Sequence, residues 1–187
     1  MSSATEYSKE ITQIAIDLLQ TTQIEALLGH FGKAKLGGSY AYNLMVDNDL
    51  DFAVAVSTIT PEIRAKIAST FASQLWVYSI NMTDRANFEP LSHIGAPRGL
   101  FLGLTIPYPI KRWNIDVWFV IADDLEQDEM EKLISQASPE QKANILQIKY
   151  ELMKSGHKEK GVTSVEVYKA VIQNGVTSTP EFLKFKA

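Results

Sequence analysis

The stretch from Lys35 to Val56, KLGGSYAYNLMVDNDLDFAVAV, decides how this chain is read. Gly37-Gly38-Ser39 has the composition of a tight turn, and Asp49-Leu50-Asp51 follows after a short spacer. From Asp49 onward the residues alternate. Leu50, Phe52, Val54 and Val56 fall on one face, and Asp49, Asp51, Ala53 and Ala55 on the other, as in a strand buried on one side. Asp49 and Asp51 therefore share a face, roughly 6 to 7 Å apart. A third acid, Asp116, interrupts the apolar run Ile115 to Val120. A carboxylate in apolar strand sequence is costly unless it is paired or bound to a cation. Three neighbouring carboxylates repel one another unless cations compensate, and oxygen-only ligands favour magnesium or manganese over zinc. The glycines allow a backbone to approach a phosphate closely. Ser39 adds a hydroxyl and is expected to cap a short helix over residues 40–45, whose first N–H groups would face an anion.

Composition limits the alternatives. The 187 residues fit one domain, or a domain with a small appendage. With 45% hydrophobic and 21% charged residues, the chain can bury a core without cross-links. There is no cysteine and there are only three histidines, so a thiolate zinc site is excluded and a histidine-rich one is not expected. A net charge of −4 argues against broad affinity for nucleic acid. The first residues show no signal-peptide pattern and no apolar run reaches membrane-spanning length, so a cytoplasmic protein without membrane contact is expected.

Outward from the central stretch, helical periodicity covers residues 5–29 with a break at Thr21-Thr22, and Lys33 to Leu36 reads as a short strand. Thr60-Pro61 marks a helix start. Trp76 to Met82 is expected as a strand, and Leu100 to Ile106 with Trp113 to Ile121 as an antiparallel hairpin with a long turn. Between Asp84 and Arg98 lies a polar loop whose Arg85 and Arg98 are candidate phosphate contacts, with His93 beside them. Helices are expected from Leu125 to Gln136, from Pro139 to Lys154 behind Ser138, from Thr163 in a capping box with Glu166, and from Thr179-Pro180. His157 falls in the loop before Thr163. The apolar stripe of Val167, Tyr168, Val171 and Ile172 packs on the rest of the fold or on a partner subunit, which leaves a homodimer open. The class is α+β with a helical C-terminal part, divided into a first domain over residues 1–122 and a helical subdomain over 123–187. Tyr40 and Tyr42 are expected to pack on the core, and Lys111 or Arg112 either pairs with Asp116 or binds phosphate.

Gly38-Ser39, the spacer, Asp49-x-Asp51 and the later lone Asp116 together resemble the polymerase-beta-like nucleotidyltransferase superfamily, in the manner of its small bacterial-type domains. The resemblance runs from about Lys33 to Ile121. It implies a mixed β-sheet flanked by helices. It also implies that Gly37, Gly38 and Ser39 bind the nucleotide phosphates, and that Asp49, Asp51 and Asp116 are catalytic metal ligands for two Mg2+ ions, or Mn2+. By the same resemblance, a nucleoside monophosphate passes from a nucleoside triphosphate, ATP by preference, to a hydroxyl-bearing acceptor, and pyrophosphate leaves; small size and acidic charge favour a small molecule or a protein side chain over a long nucleic acid as that acceptor. The chain departs from the pattern at Asn43, where a glycine is common, and at Asn48, which stands where a small residue often precedes the first acid. Asparagine tolerates the left-handed backbone that such a glycine serves. The rival expectation is a protein of the same fold without turnover, a nucleotide-binding or antitoxin-like module.

Overall fold

The computed structural model describes residues 3–87, 98–109, 111–121, 129–156 and 161–186. His93, His157 and the expected start of a helix at Leu125 lie outside them. The chain divides into two compact units, Ala15–Gly38 with Asn48–Glu126, and Met1–Ile14 with Ser39–Asp47 and Gln127–Ala187.

The first of these units is built on a five-stranded mixed sheet. Its strands are β1 (Lys33–Leu36), β2 (Asp49–Val56), β3 (Ser79–Asp84), β4 (Leu100–Tyr108) and β5 (Lys111–Ile121), in the spatial order β1-β2-β5-β4-β3. Only β2 and β5 run parallel; every other pair is antiparallel. The alternation expected for β2 holds, with Leu50, Phe52, Val54 and Val56 buried. The same period places Trp113, Ile115, Val117 and Phe119 of β5, and Leu100, Leu102, Leu104 and Ile106 of β4, in the core. Buried with them in this unit are Leu18, Ile24, Leu28, Ile67 and Phe71 from helices. The last two belong to α4 (Pro61–Ala72), which starts as expected: Thr60 Oγ1 accepts from the Ile63 N–H at 3.3 Å, and proline follows in the first turn.

Two strand expectations shift. The strand expected from Trp76 begins at Ser79, because residues 74–78 form a turn in which the Val77 N–H donates to Gln74 O at 3.2 Å. The hairpin turn is tighter than expected, since β4 and β5 pair as far as Tyr108↔Lys111. The helical stretch over residues 5–29 divides next to the expected break, into α1 (Ala4–Thr22) and α2 (Ile24–Gly29), separated where Gln23 takes a left-handed φ of 51°.

The second unit is helical apart from its short segment 39–47. It contains α5 (Glu129–Ser135), α6 (Pro139–Lys154), α7 (Ser164–Asn174) and α8 (Thr179–Lys186). Capping boxes open α6 (Ser138 with Gln141) and α7 (Thr163 with Glu166), and Gly175 closes α7 at φ 67°. The core here runs through Ile145, Ile148, Leu152, Val167, Val171 and Phe182, with Leu44 and Val46 from the short segment. No helix among the described residues is long and apolar enough to cross a membrane.

Candidate active site

Two strands distant in sequence carry the acids. In the parallel pairing of β2 and β5, Asp51 lies directly beside Asp116 and Asp49 beside Asn114. All four share one face by the strand period, the face opposite Leu50, Ile115 and Val117. The entry to this pairing is pinned by three hydrogen bonds. The Asn114 backbone N–H donates to Asn48 O at 2.9 Å, Asn48 Nδ2 to Arg112 O at 3.3 Å, and Asn114 Nδ2 to Asp49 Oδ1 at 3.0 Å. Asn48, a departure from the family pattern in sequence, thus has a structural job at the strand junction.

Burial pushes the Asp116 carboxyl up to about 6, and the charges of Asp51 and then Asp49 push the same way. This is the electrostatic mark of acids set together for a cation. Hard oxygen donors in that number suit a magnesium-like ion, so the residues present fit such a metal. Among the described residues, however, no three acid or histidine side chains converge as a ready-made metal cluster. Register sets the backbone positions of Asp51 and Asp116 side by side, with Asp49 two residues along the same strand face.

The glycine turn meets this site at Asp51. The Gly37 N–H donates to Asp51 O at 2.8 Å, tying the turn to the strand. Gly38 has a φ of +59°, and a Cβ placed on it would overlap the Asp51 carboxylate, lying 2.7 Å from its Cγ. Conformation and space both demand glycine here.

The helix expected over residues 40–45 is corrected: α3 (Gly38–Ala41) is one turn long, and Ser39 lies inside it rather than capping it. A single turn offers little macrodipole, so the expected row of helix N–H donors is lost. Asn43 is left-handed, φ 57°, as its place in the spacer suggested. Ser39 has acquired other partners. Its Oγ lies 2.9 Å from Tyr168 Oη and accepts from Lys149 Nζ at 2.9 Å. Lys149 Nζ also donates to Leu44 O at 2.6 Å and to Tyr168 Oη at 3.2 Å, and the residue is only 3% exposed. A buried ammonium with its three N–H groups directed at oxygens is a deliberate fixture. The Ser39 and Tyr168 hydroxyls share a hydrogen bond in which either can be the donor.

Lys149 and Tyr168 were not singled out in the sequence as partners of Ser39. One signal was present: Lys149 lies four residues after Ile145 and three before Leu152, on the buried stripe of α6. A lysine on such a stripe needs a polar partner. Tyr42 packs edge-on against Tyr168, ring centroids 6.2 Å apart, in keeping with the expected packing role.

The basic candidates separate. The Arg112 guanidinium sits 5.1 Å from the centre of the Tyr78 ring rather than at Asp116. Arg85 stacks over Trp118 at 5.2 Å, on the acid-bearing side of the sheet, while Arg98 is exposed.

No protein-family model matches the chain, and no curated protein matches it in sequence. Solved structures do match in fold. The polymerase core of TRAMP, an RNA surveillance complex, aligns with a TM-score of 0.51 and 13% identity over 89% of this chain and 47% of its own. The GLD-2/RNP-8 complex aligns at 0.55 and 14% identity, over 90% of this chain and 62% of its own. The GLD-2–GLD-3 poly(A) polymerase complex aligns at 0.57 and 16%, over 96% of this chain and 61% of its own. The chain thus spans about half to three fifths of the length of these structures. At such identities the likeness is one of fold: the mixed sheet with flanking helices is a nucleotidyltransferase-like fold, shared with these polymerases.

Proposed function

We propose that the chain is a metal-dependent nucleotidyltransferase that moves a nucleoside monophosphate from a nucleoside triphosphate, ATP by preference, to a hydroxyl acceptor. The observation that carries this reading is the pairing of Asp51 with Asp116 across parallel strands, with the Gly38 backbone against the Asp51 carboxylate. Phosphate contacts and acids on one face are what in-line phosphoryl chemistry requires.

In this reading Asp49, Asp51 and Asp116 hold two magnesium ions, and Gly37, Gly38 and Ser39 hold the phosphates. When bound, the ions supply charge neutralisation on the phosphates and make the acceptor hydroxyl more acidic. The acceptor oxygen bonds to the α-phosphorus while the bond to the bridging oxygen of the β-phosphate breaks, and pyrophosphate departs. The acceptor proton is lost to solvent or to a carboxylate on the site. Gly38 keeps a side chain out of the space beside Asp51, so a phosphate can approach the backbone. Lys149 and Tyr168 fix Ser39 Oγ, and Lys149 adds positive charge behind it. The acceptor is a small molecule or a protein side chain, since a net charge of −4 disfavours a long nucleic acid.

The second reading is a nucleotide-binding module of the same fold without turnover. Incubation with magnesium, ATP and a panel of hydroxyl acceptors separates the two by pyrophosphate release. Release that disappears in Asp51→Asn, with the circular dichroism spectrum unchanged, supports transfer; release at the same rate in the variant refutes the assignment. Tight nucleotide binding without any release favours the second reading.

A further inference from the structure

The two outer strands of the sheet differ in how their edges are guarded. β1 is four residues long and carries Lys33 and Lys35, both exposed, a composition that keeps an edge from pairing. β3, at the other edge, reads Ser-Ile-Asn-Met-Thr-Asp, with no lysine and no proline. Its one charge, Asp84, is spent on Arg64 at 2.8 Å. Among the described residues no strand pairs with its outer side.

The ladder shows which groups that side offers. The Arg85 N–H donates to Gly99 O at 2.8 Å, extending the register of Asp84↔Leu100. Bonds alternate along an antiparallel ladder, so Asn81 and Thr83 turn their backbone groups toward β4, while Ile80 and Met82 turn theirs outward. Side chains alternate too. Ser79, Asn81 and Thr83 are exposed on the acid-bearing face, and Ile80 and Met82 are only half-buried on the core face. Beside Met82 runs an open groove of about 330 Å³, bordered by Pro61, Ala65 and Ala68 of α4 and by Leu100. At the head of the strand Leu75 is fully exposed and Tyr78 is 65% exposed.

We propose that this edge pairs with the same edge of a second copy, antiparallel about a two-fold axis at Asn81, so that one sheet runs through a homodimer. The strand is self-complementary in that register. Ser79 meets Thr83, Ile80 meets Met82, and Asn81 meets Asn81. Hydroxyl thus faces hydroxyl, apolar faces apolar, and no like charges are opposed. The outward groups of Ile80 in one copy and Met82 in the other exchange both backbone hydrogen bonds. Ile80 of each copy then lies beside Met82 of the other, over the mouth of its groove, where the small side chains of Ala65 and Ala68 leave room. The surface that could have competed, the stripe on α7, is used up, since Val167, Tyr168 and Val171 are buried in the core of their own unit. This interface goes beyond the nucleotidyltransferase reading and does not depend on it.

Sedimentation equilibrium of the full chain tests the proposal, with charge variants at the axis. Asn81 is exposed and belongs neither to the acids nor to the glycine turn. Wild type is expected to sediment at twice the mass of one chain. Asn81→Lys and Asn81→Asp each set like charges roughly 5 Å apart across the axis. Each is expected to weaken association about tenfold or more, with an unchanged circular dichroism spectrum. Mixing the two variants restores the dimer, because a two-fold through Asn81 brings their introduced charges, now opposite in sign, together. Hydrogen exchange gives a second readout. The Ile80 and Met82 amides are protected in the wild-type dimer and exchange fast in Asn81→Lys, whereas the Asn81 and Thr83 amides stay protected by β4 in wild type, and the Thr83 amide in the variant as well. The proposal is overturned if wild type is monomeric up to its solubility limit, if both variants dimerise like wild type, or if the mixture stays monomeric. A monomer whose Ile80 and Met82 amides exchange freely would leave the edge to an extended segment of another protein and would equally refute the homodimer.

Discussion

Replacing Asp116 with asparagine separates the function of this residue from its cost. The carboxyl is pushed up to about 6 from 3.8, first by burial, then by Asp51, then by Asp49. At about 1.4 kcal/mol per pKa unit, a shift of roughly two units corresponds to about 3 kcal/mol of native-state penalty on the ionised form. Asp116 is only half-buried, so solvent screening reduces this to about 1.5 kcal/mol. The sign follows from proton counting. Between 3.8 and about 6 the native state holds a proton that the unfolded chain has released, so metal-free stability falls as pH rises through that window. The carboxylates with lowered values, Asp84, Glu151 and Glu166 among them, have unfolded values of 3.8 or 4.5 and so have made most of their opposite contribution by pH 5. Thermal unfolding in chelator at pH 5 and pH 7.5, followed by circular dichroism, therefore isolates Asp116. Wild type is expected to lose stability between the two, whereas Asp116→Asn loses less and melts about 3 to 6 °C higher than wild type at pH 7.5. Saturating manganese should raise the wild-type midpoint and move the variant much less. A variant no more stable than wild type at pH 7.5 would falsify the electrostatic account of the acid cluster.

Two further substitutions probe the turn and the buried node. Gly38→Ala must take a side chain at φ +59° and push aside the Asp51 carboxylate, so it should cost about 1 to 2 kcal/mol and abolish ATP binding by calorimetry; normal binding would show that the turn does not hold phosphate. Lys149→Met leaves the Leu44 carbonyl and Ser39 Oγ without their buried donor, which should cost about 1 to 3 kcal/mol in urea denaturation. It should also weaken ATP roughly tenfold through a less ordered Ser39, and an unaltered Kd would make Lys149 a purely structural lysine.

Local periodicity and local hydrogen bonding were legible along the chain. The two-residue repeat of β2 placed Asp49 and Asp51 on one face, and Thr60-Pro61, Ser138 and Thr163 marked helix starts, because each depends on neighbours a few positions away. Element ends were less legible. The strand after Trp76 begins late because it pairs with β4 from Ser79↔Thr105, a partnership that no local pattern states. The helix after Gly38 stops after one turn as the chain passes through left-handed Asn43.

By itself, the sequence determined that three acids sit in strands and that a Gly-Gly-Ser turn precedes two of them, because side-chain alternation is built into every strand. Only the tertiary structure decided that β5 lies parallel to β2 in the register that sets Asp51 beside Asp116. A shift by one residue would have turned one acid to the opposite face, and register is set by packing across strands far apart in the chain. Likewise only folding brought Lys149 to Ser39 across 110 positions, since a buried lysine finds its oxygens through helix packing rather than through sequence spacing.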